Sequence, residues 1–272
     1  MLKQRLLTAL LLIPAAIAGV VYLPSSIFSL LLALIVFLGA WEWAALSGLR
    51  QNWQRMAYLA VTALVMVISA SVLDTAAEMT SFMGVVIFVW LLLIVWMALI
   101  RSLVERAPVI RWGQAVTGLG VLVPSWLALS VTHEQFGGAF VLLLFAFIWM
   151  ADSTAYFAGK YLGKHKLVPV VSPGKTWEGA WGGVISGFVV AILGATLLGQ
   201  HGAIASFMVL GFVIVVFSIA GDLFESVQKR WAGVKDSGAL LPGHGGVLDR
   251  IDSLTSTAPL YWLGLVLIGV EL

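Results

Sequence analysis

Long apolar runs constrain this chain more than any other feature. A membrane-spanning helix needs about 20 mainly apolar residues. Nine segments qualify, near residues 6–23, 27–46, 56–73, 81–100, 115–132, 138–157, 180–199, 204–224 and 254–270. The runs are continuous rather than alternating in polarity, which excludes an outer-membrane barrel. Only 10% of the 272 residues are charged, against roughly a quarter in soluble domains, so a soluble globular fold is excluded. Cys is absent, which rules out a disulfide scaffold. A net charge of +2 is too small for nucleic-acid binding by the whole chain. The expected fold is all-α, a polytopic integral membrane protein of about nine transmembrane helices.

The basic residues set the expected orientation. Lys3 and Arg5 precede the first segment, Arg50 and Arg55 follow the second, and Arg101, Arg106 and Arg111 follow the fourth. Lys160, Lys164, Lys166 and Lys175 follow the sixth, and Lys229, Arg230, Lys235 and Arg250 follow the eighth. All 15 basic residues thus fall on one side of a nine-helix arrangement, while Asp74, Glu78, Glu134 and Glu271 fall on the other. Positive residues stay cytoplasmic, so the N-terminus is expected inside and the C-terminus outside. Residues 1–23 share features with a signal peptide, but the length of the run favours a retained first helix.

The whole chain reads as one membrane domain of unequal halves. Residues 1–137 are mainly scaffold helices with few polar groups, and residues 138–272 carry most of the chemistry. Two connections on the basic side are long, 158–179 and 225–253. Loops of that length are usually functional or disordered, and these two are rich in Gly, Pro, Lys, Asp and His. Three acids lie inside apolar segments: Glu42, for which no role is evident, Asp152 and Asp222. An acid in a spanning helix is costly and calls for a partner.

If the eighth helix runs past the interface, Asp222, Glu225, Ser226, Lys229 and Arg230 recur at spacings of three and four. Asp222, Ser226 and Lys229 then share a face, as suits a metal–phosphate site. Downstream come Lys235, Asp236, Ser237 and Gly238, then Pro242-Gly243-His244-Gly245-Gly246, then Asp249-Arg250-Ile251-Asp252. Glycine-rich turns let backbone amides cradle an anion. Asp249 and Asp252, projecting from a helix start, could hold Mg²⁺ together with substrate phosphates. His244 reads as a phosphate donor or a loop-shaping residue. In the other loop, Ser172, Lys175 and Thr176 resemble a phosphate-binding turn at a helix start, although the glycine of a true P-loop is replaced by Pro169. Trp177 reads as an interfacial belt residue. Gly179, Gly183 and Gly187 read as a close helix-packing stripe.

The stretch from Ser226 to Asp252 resembles the signature of the phosphatidate cytidylyltransferases, at Ser226, Lys229, Arg230, Lys235, Asp236, Gly238, Pro242, His244, Gly245, Gly246, Asp249, Arg250 and Asp252. The segments around Asp152 and from Ser172 to Gly179 are similar to family motifs too. The chain departs from the pattern at Gln228 and Thr154, where the family usually has an apolar residue and a glycine. The resemblance implies transfer of the cytidylyl group of CTP to phosphatidic acid, giving CDP-diacylglycerol and pyrophosphate. It implies Mg²⁺ as cofactor, with a second cation left open, and Asp222 and Asp249 as metal ligands. With Lys229 and Asp252 these are the expected catalytic residues. Ser172, Lys175, Ser226, Arg230, Lys235, Asp236, His244, Gly245, Gly246 and Arg250 are the expected substrate-binding residues. A homodimer in the bacterial inner membrane, with its site facing the cytoplasm, follows from the same resemblance. The residues alone leave open a CTP-dependent lipid kinase and an ion-coupled carrier.

Overall fold

The computed structural model describes residues 2–99, 111–240 and 245–270, with no side-chain description for 2–9, 11, 12 and 99. Lys3, Arg5, Arg101, Arg106, Pro242, Gly243, His244 and Glu271, named above, therefore lie outside the described side chains. Among the described residues there are nine α-helices: α1 (Leu2–Tyr22), α2 (Ser25–Leu46), α3 (Asn52–Val72), α4 (Ala76–Leu99), α5 (Trp112–Phe136), α6 (Gly138–Leu162), α7 (Trp177–Leu197), α8 (Ile204–Trp231) and α9 (Leu248–Ile268). A short antiparallel hairpin, β1 (Lys166–Val168) and β2 (Ser172–Thr176), joins α6 to α7 and adds strand to the all-α expectation. Eight helices, α2 to α9, are long and apolar enough to cross a membrane, while the described side chains of α1 give a shorter apolar stretch, Ile13–Tyr22. The protein is a multi-pass membrane protein.

Burial explains which helices look least hydrophobic in sequence. In α5, 67% of the apolar window is buried inside the protein, against 17% in α3 and in α4. Helices facing lipid must be apolar on their outer faces, whereas a central helix covered by its neighbours can carry Gly118, Pro124 and Ser125, whose hydroxyl donates to the Leu122 carbonyl of the same helix at 2.8 Å. Trp43 on α2 donates to the Gln114 carbonyl of α5 at 2.7 Å, and Tyr58 on α3 donates to the Ala115 carbonyl at 2.8 Å. At the opposite end, His133 sits 2.9 Å from both the Val20 carbonyl and Ser25 Oγ, and Tyr261 of α9 donates to the Phe140 carbonyl.

Helices α6, α7 and α8 pack as a layered trio, with α9 against α8. The glycine stripe of α7 lies in these contacts. A Cβ at Gly187 would come within 2.8 Å of Val215 on α8, so only glycine admits this approach. Thr154, at a departure from the family pattern, lies 2.9 Å from Ser186 Oγ and so links α6 to α7. The other departure, Gln228, is buried, and its side-chain oxygen has no hydrogen bond among the described residues.

At the basic end, three helices run five or more residues past their expected boundaries. Helix α6 runs five residues past 157, α8 runs seven past 224, and α9 begins at Leu248, six before 254. An apolar window ends where charge begins, but the helices do not. The extensions carry Lys160, Lys229 and Arg230, and Asp249 and Asp252.

Candidate active site

At the basic end, α6, α7, α8 and the hairpin enclose a cavity of about 550 Å³ lined by Asp152, Tyr156, Lys160, Lys166, Ser172, Lys175, Thr176 and Asp222, among others. Ligand sites of this volume are common. Local chemistry fixes the hairpin. Thr176 caps α7, its hydroxyl accepting from Gly179 N at 3.1 Å, which satisfies one of the free amides at a helix start. Glu178 accepts from the His165 ring at 2.7 Å, and Trp177 N donates to the His165 carbonyl at 2.9 Å. The expected phosphate-binding turn is therefore a strand running directly into a helix. It places Lys175 Nζ 2.7 Å from Asp222 Oδ2. Asp222 Oδ1 accepts a long bond, 3.3 Å, from Ser226 Oγ. Trp177 is exposed and is not part of the cavity lining.

Behind the cavity lies a buried cluster. Lys229 Nζ is 2.6 Å from Asp249 Oδ1 and 3.1 Å from Glu225 Oε1. Asp249 Oδ2 accepts from Gly246 N at 2.8 Å and from both Ser237 N and Ser237 Oγ at 3.0 Å. Asp252 accepts from Ser253 N at 2.7 Å. Neither Glu225 oxygen has hydrogen-bond geometry with a described partner; the 3.1 Å approach of Lys229 is an ion pair only. The charges of Asp222, Glu225 and Asp252 act on one another, and Asp222 also acts on Asp152. One more buried carboxylate belongs to this region: Glu42, from α2, accepts from Ser237 Oγ, Val247 N and Leu248 N.

Of the sequence-selected residues, the structure brings together Asp222, Ser226, Lys175 and Ser172 at the cavity, and Lys229, Asp249, Gly245, Gly246 and Asp252 behind it. Arg230 turns away, donating to the Val234 carbonyl at 3.3 Å. Lys235 and Asp236 are exposed. Arg250 is exposed, and its charge reaches Asp152. His244 lies outside the described residues. Sequence reasoning missed Glu42, Glu225 and Ser237 as members of the site, and Asp152, Lys160 and Lys166 on the cavity wall. For Glu225 the signal was present, four residues before Lys229 on one helix. For Glu42 the only signal was a carboxylate in an apolar helix, because its partners lie about 200 residues away.

The sequence profile of the cytidylyltransferase family matches residues 3–268. The chain belongs to that family. It is 41% identical over 263 residues to the phosphatidate cytidylyltransferase of Pseudomonas aeruginosa, covering 96% of each chain. It is 36% identical to the enzyme of that name from Haemophilus influenzae, covering 96% of this chain and 97% of the relative. With the one from Brucella abortus the identity is 35%, over 96% and 92%.

Cytidylyltransferase chemistry of this kind raises the question of Mg²⁺. Among the described residues, no three His, Asp or Glu side chains converge closely enough to hold an ion by themselves. Mg²⁺ does not require that, since it commonly takes one or two carboxylates and fills its other positions with water and substrate phosphate. The donor set fits. It is all oxygen: Asp152 and Asp222 line the cavity, and Glu225, Asp249 and Asp252 lie beside it. A carboxylate oxygen has two acceptor positions. Asp222 retains acceptor capacity on the cavity wall, and Asp249 retains it at Oδ1 alone, because three donors already crowd Oδ2.

Proposed function

We propose that this protein makes CDP-diacylglycerol from CTP and phosphatidic acid, releasing pyrophosphate, at the cytoplasmic face of the bacterial inner membrane. The observation that carries the proposal is the cavity at the basic end of the helices, whose wall holds Lys160, Lys166 and Lys175 together with Asp222. The names of relatives matched over nearly the whole chain agree with it. Arg50, Arg55 and Arg111 lie at the same end, which by the positive-inside tendency is the cytoplasmic one. CTP arrives from that side, and phosphatidic acid lies in the adjoining leaflet.

A phosphate oxygen of phosphatidic acid attacks the α-phosphorus of CTP. The new P–O bond forms as the bond to the β-phosphate oxygen breaks, and pyrophosphate leaves with that electron pair. The second pKa of a phosphate monoester is about 6, so the nucleophile is already an anion and no strong base is needed. The obstacle is mutual repulsion of two polyanions. Lys175, held at the cavity wall by Asp222, exchanges that partner for a phosphate oxygen. Lys160, Lys166 and Ser172 hold further oxygens. Lys229 orients Asp249 through their 2.6 Å contact. Asp222 and Asp249 would hold Mg²⁺, which neutralises phosphate charge and favours in-line geometry when bound.

The test is turnover of the purified protein in detergent, with phosphatidic acid, Mg²⁺ and CTP labelled on the α-phosphate, and EDTA as control. Label entering the lipid with equal pyrophosphate release is the expected outcome. CDP release with phosphorylated lipid would point to a CTP-dependent kinase. No lipid product from an intact fold would overturn the proposal.

A further inference from the structure

Glu42 is the one described acid of the first four helices that reaches the site. The residue is 3% exposed. Oε1 accepts from Val247 N at 3.0 Å, and Oε2 from Leu248 N at 2.9 Å and Ser237 Oγ at 2.8 Å. Val247 and Leu248 open α9, and the first amides of a helix have no partner within it. Val247 offers no side-chain cap. Glu42 supplies one from another helix, where the positive end of the helix dipole also favours a carboxylate.

The same carboxylate grips the other end of the loop. Ser237 Oγ lies 2.8 Å from Glu42 Oε2 and 3.0 Å from Asp249 Oδ2, so the two acids share the single proton this hydroxyl can donate. Two glycines make room: a Cβ at Gly238 or at Gly246 would collide with the Glu42 carboxylate. The position of α2 is itself fixed, through Trp43 bonded to Gln114. We propose that Glu42 is a positioning residue, which holds Ser237 and the start of α9 so that Asp249 faces Lys229. This rests on the function proposed above. Glu42 touches no reacting atom; it acts through Ser237 and the α9 amides.

Glu42→Gln preserves volume and tests the idea. An amide has one accepting oxygen, so its NH₂ must face an N–H donor at Val247 or Leu248. The expected result is a fall in kcat of about tenfold or more, with KM for CTP and for phosphatidic acid within about twofold of wild type. Backbone hydrogen exchange should quicken at residues 235–240 and 245–250 and stay unchanged in α2 and α5, with only a small fall in the unfolding midpoint from the buried donor left unpaired. Ser237→Ala should give a smaller fall in kcat. The double variant should be no slower than Glu42→Gln alone, because the two act on one connection. A kcat near wild type overturns the proposal. So does faster exchange throughout α2 and α5 with a large fall in melting point, which marks a general structural role. If Glu42→Gln does not accumulate folded, Ser237→Ala decides: wild-type kcat and exchange there overturn the proposal. Wild-type protein inactive on CTP and phosphatidic acid would defeat the function above, while the exchange comparison still decides whether Glu42 holds the loop.

Discussion

Two of the carboxylate–lysine pairs of the site are built in opposite ways. Lys175 and Asp222 meet at the wall of the cavity, with side chains 24% and 34% exposed. Lys229 and Asp249 meet at nearly the same distance with side chains 10% and 8% exposed, and Asp249 takes three further bonds. An exposed pair contributes at most about 1 kcal/mol and exchanges partners readily. A buried pair is costly to break, because the survivor is left as an unpaired charge. One pair is therefore suited to yield to substrate, and the other to hold geometry. In a site that must admit two polyanions, both properties are needed, and they are assigned to different lysines.

The sharpest way to break this comparison is at Asp249. Asp249→Asn should insert normally and lose about three orders of magnitude in turnover, since it removes an expected metal ligand and the partner of Lys229. More than about a tenth of the wild-type rate would remove Asp249 from the metal assignment. Next is Lys229→Met, which leaves the Asp249 and Glu225 carboxylates facing each other. It should cost about 3–5 kcal/mol in unfolding and reduce activity about a hundredfold. Unfolding in mixed micelles that matched wild type would show that the buried pair holds nothing.

These expectations were unequally legible in the sequence. Asp222, Glu225 and Lys229 recur at helical spacing on α8, and Asp249 and Asp252 on α9, so each set shares a face by periodicity; the glycine-rich connection between the helices brings the two sets together. Lys175 and Asp222 are 47 positions apart, yet both stand out as charges beside apolar runs. Glu42 stands out in the same way, but nothing local to α2 names its partners. A carboxylate that caps a helix from outside leaves no pattern around itself; its signature is the lack of a cap at Val247 and the two glycines that clear its path. The hairpin was hidden for another reason. Lys166–Val168 and Ser172–Thr176 are too short for an alternating pattern, and the turn between them contains Pro169. Helix α5 carries glycine, proline and serine within an apolar run for the reason that makes it central: 67% of its apolar window is buried, and Trp43 of α2 and Tyr58 of α3 bond to its backbone.

Smaller effects test the yielding half of the comparison. Lys175→Met should leave unfolding within about 1 kcal/mol of wild type, as expected for a pair this exposed. KM for one of the two phosphate substrates should rise about tenfold, and the substrate affected identifies which phosphate Lys175 meets. Unchanged KM values for both would place Lys175 outside the binding surface and make its contact with Asp222 a closed structural pair like the other.

Glu178→Gln should have the smallest effect. Glu178 ties the first strand to α7 through the ring and amide of His165, but the ring is 77% exposed. The strand ladder and the Trp177–His165 backbone bond remain when the charge is removed. KM should therefore rise only about twofold to threefold for the substrate that Lys175 binds, with kcat and melting unchanged, and the difference should shrink in high salt. A rise as large as that of Lys175→Met would mean that the hairpin, rather than Asp222, holds Lys175 in place. The yielding pair would then owe its mobility to a strand, and substrate would be met by movement of the hairpin instead of exchange at one ammonium group.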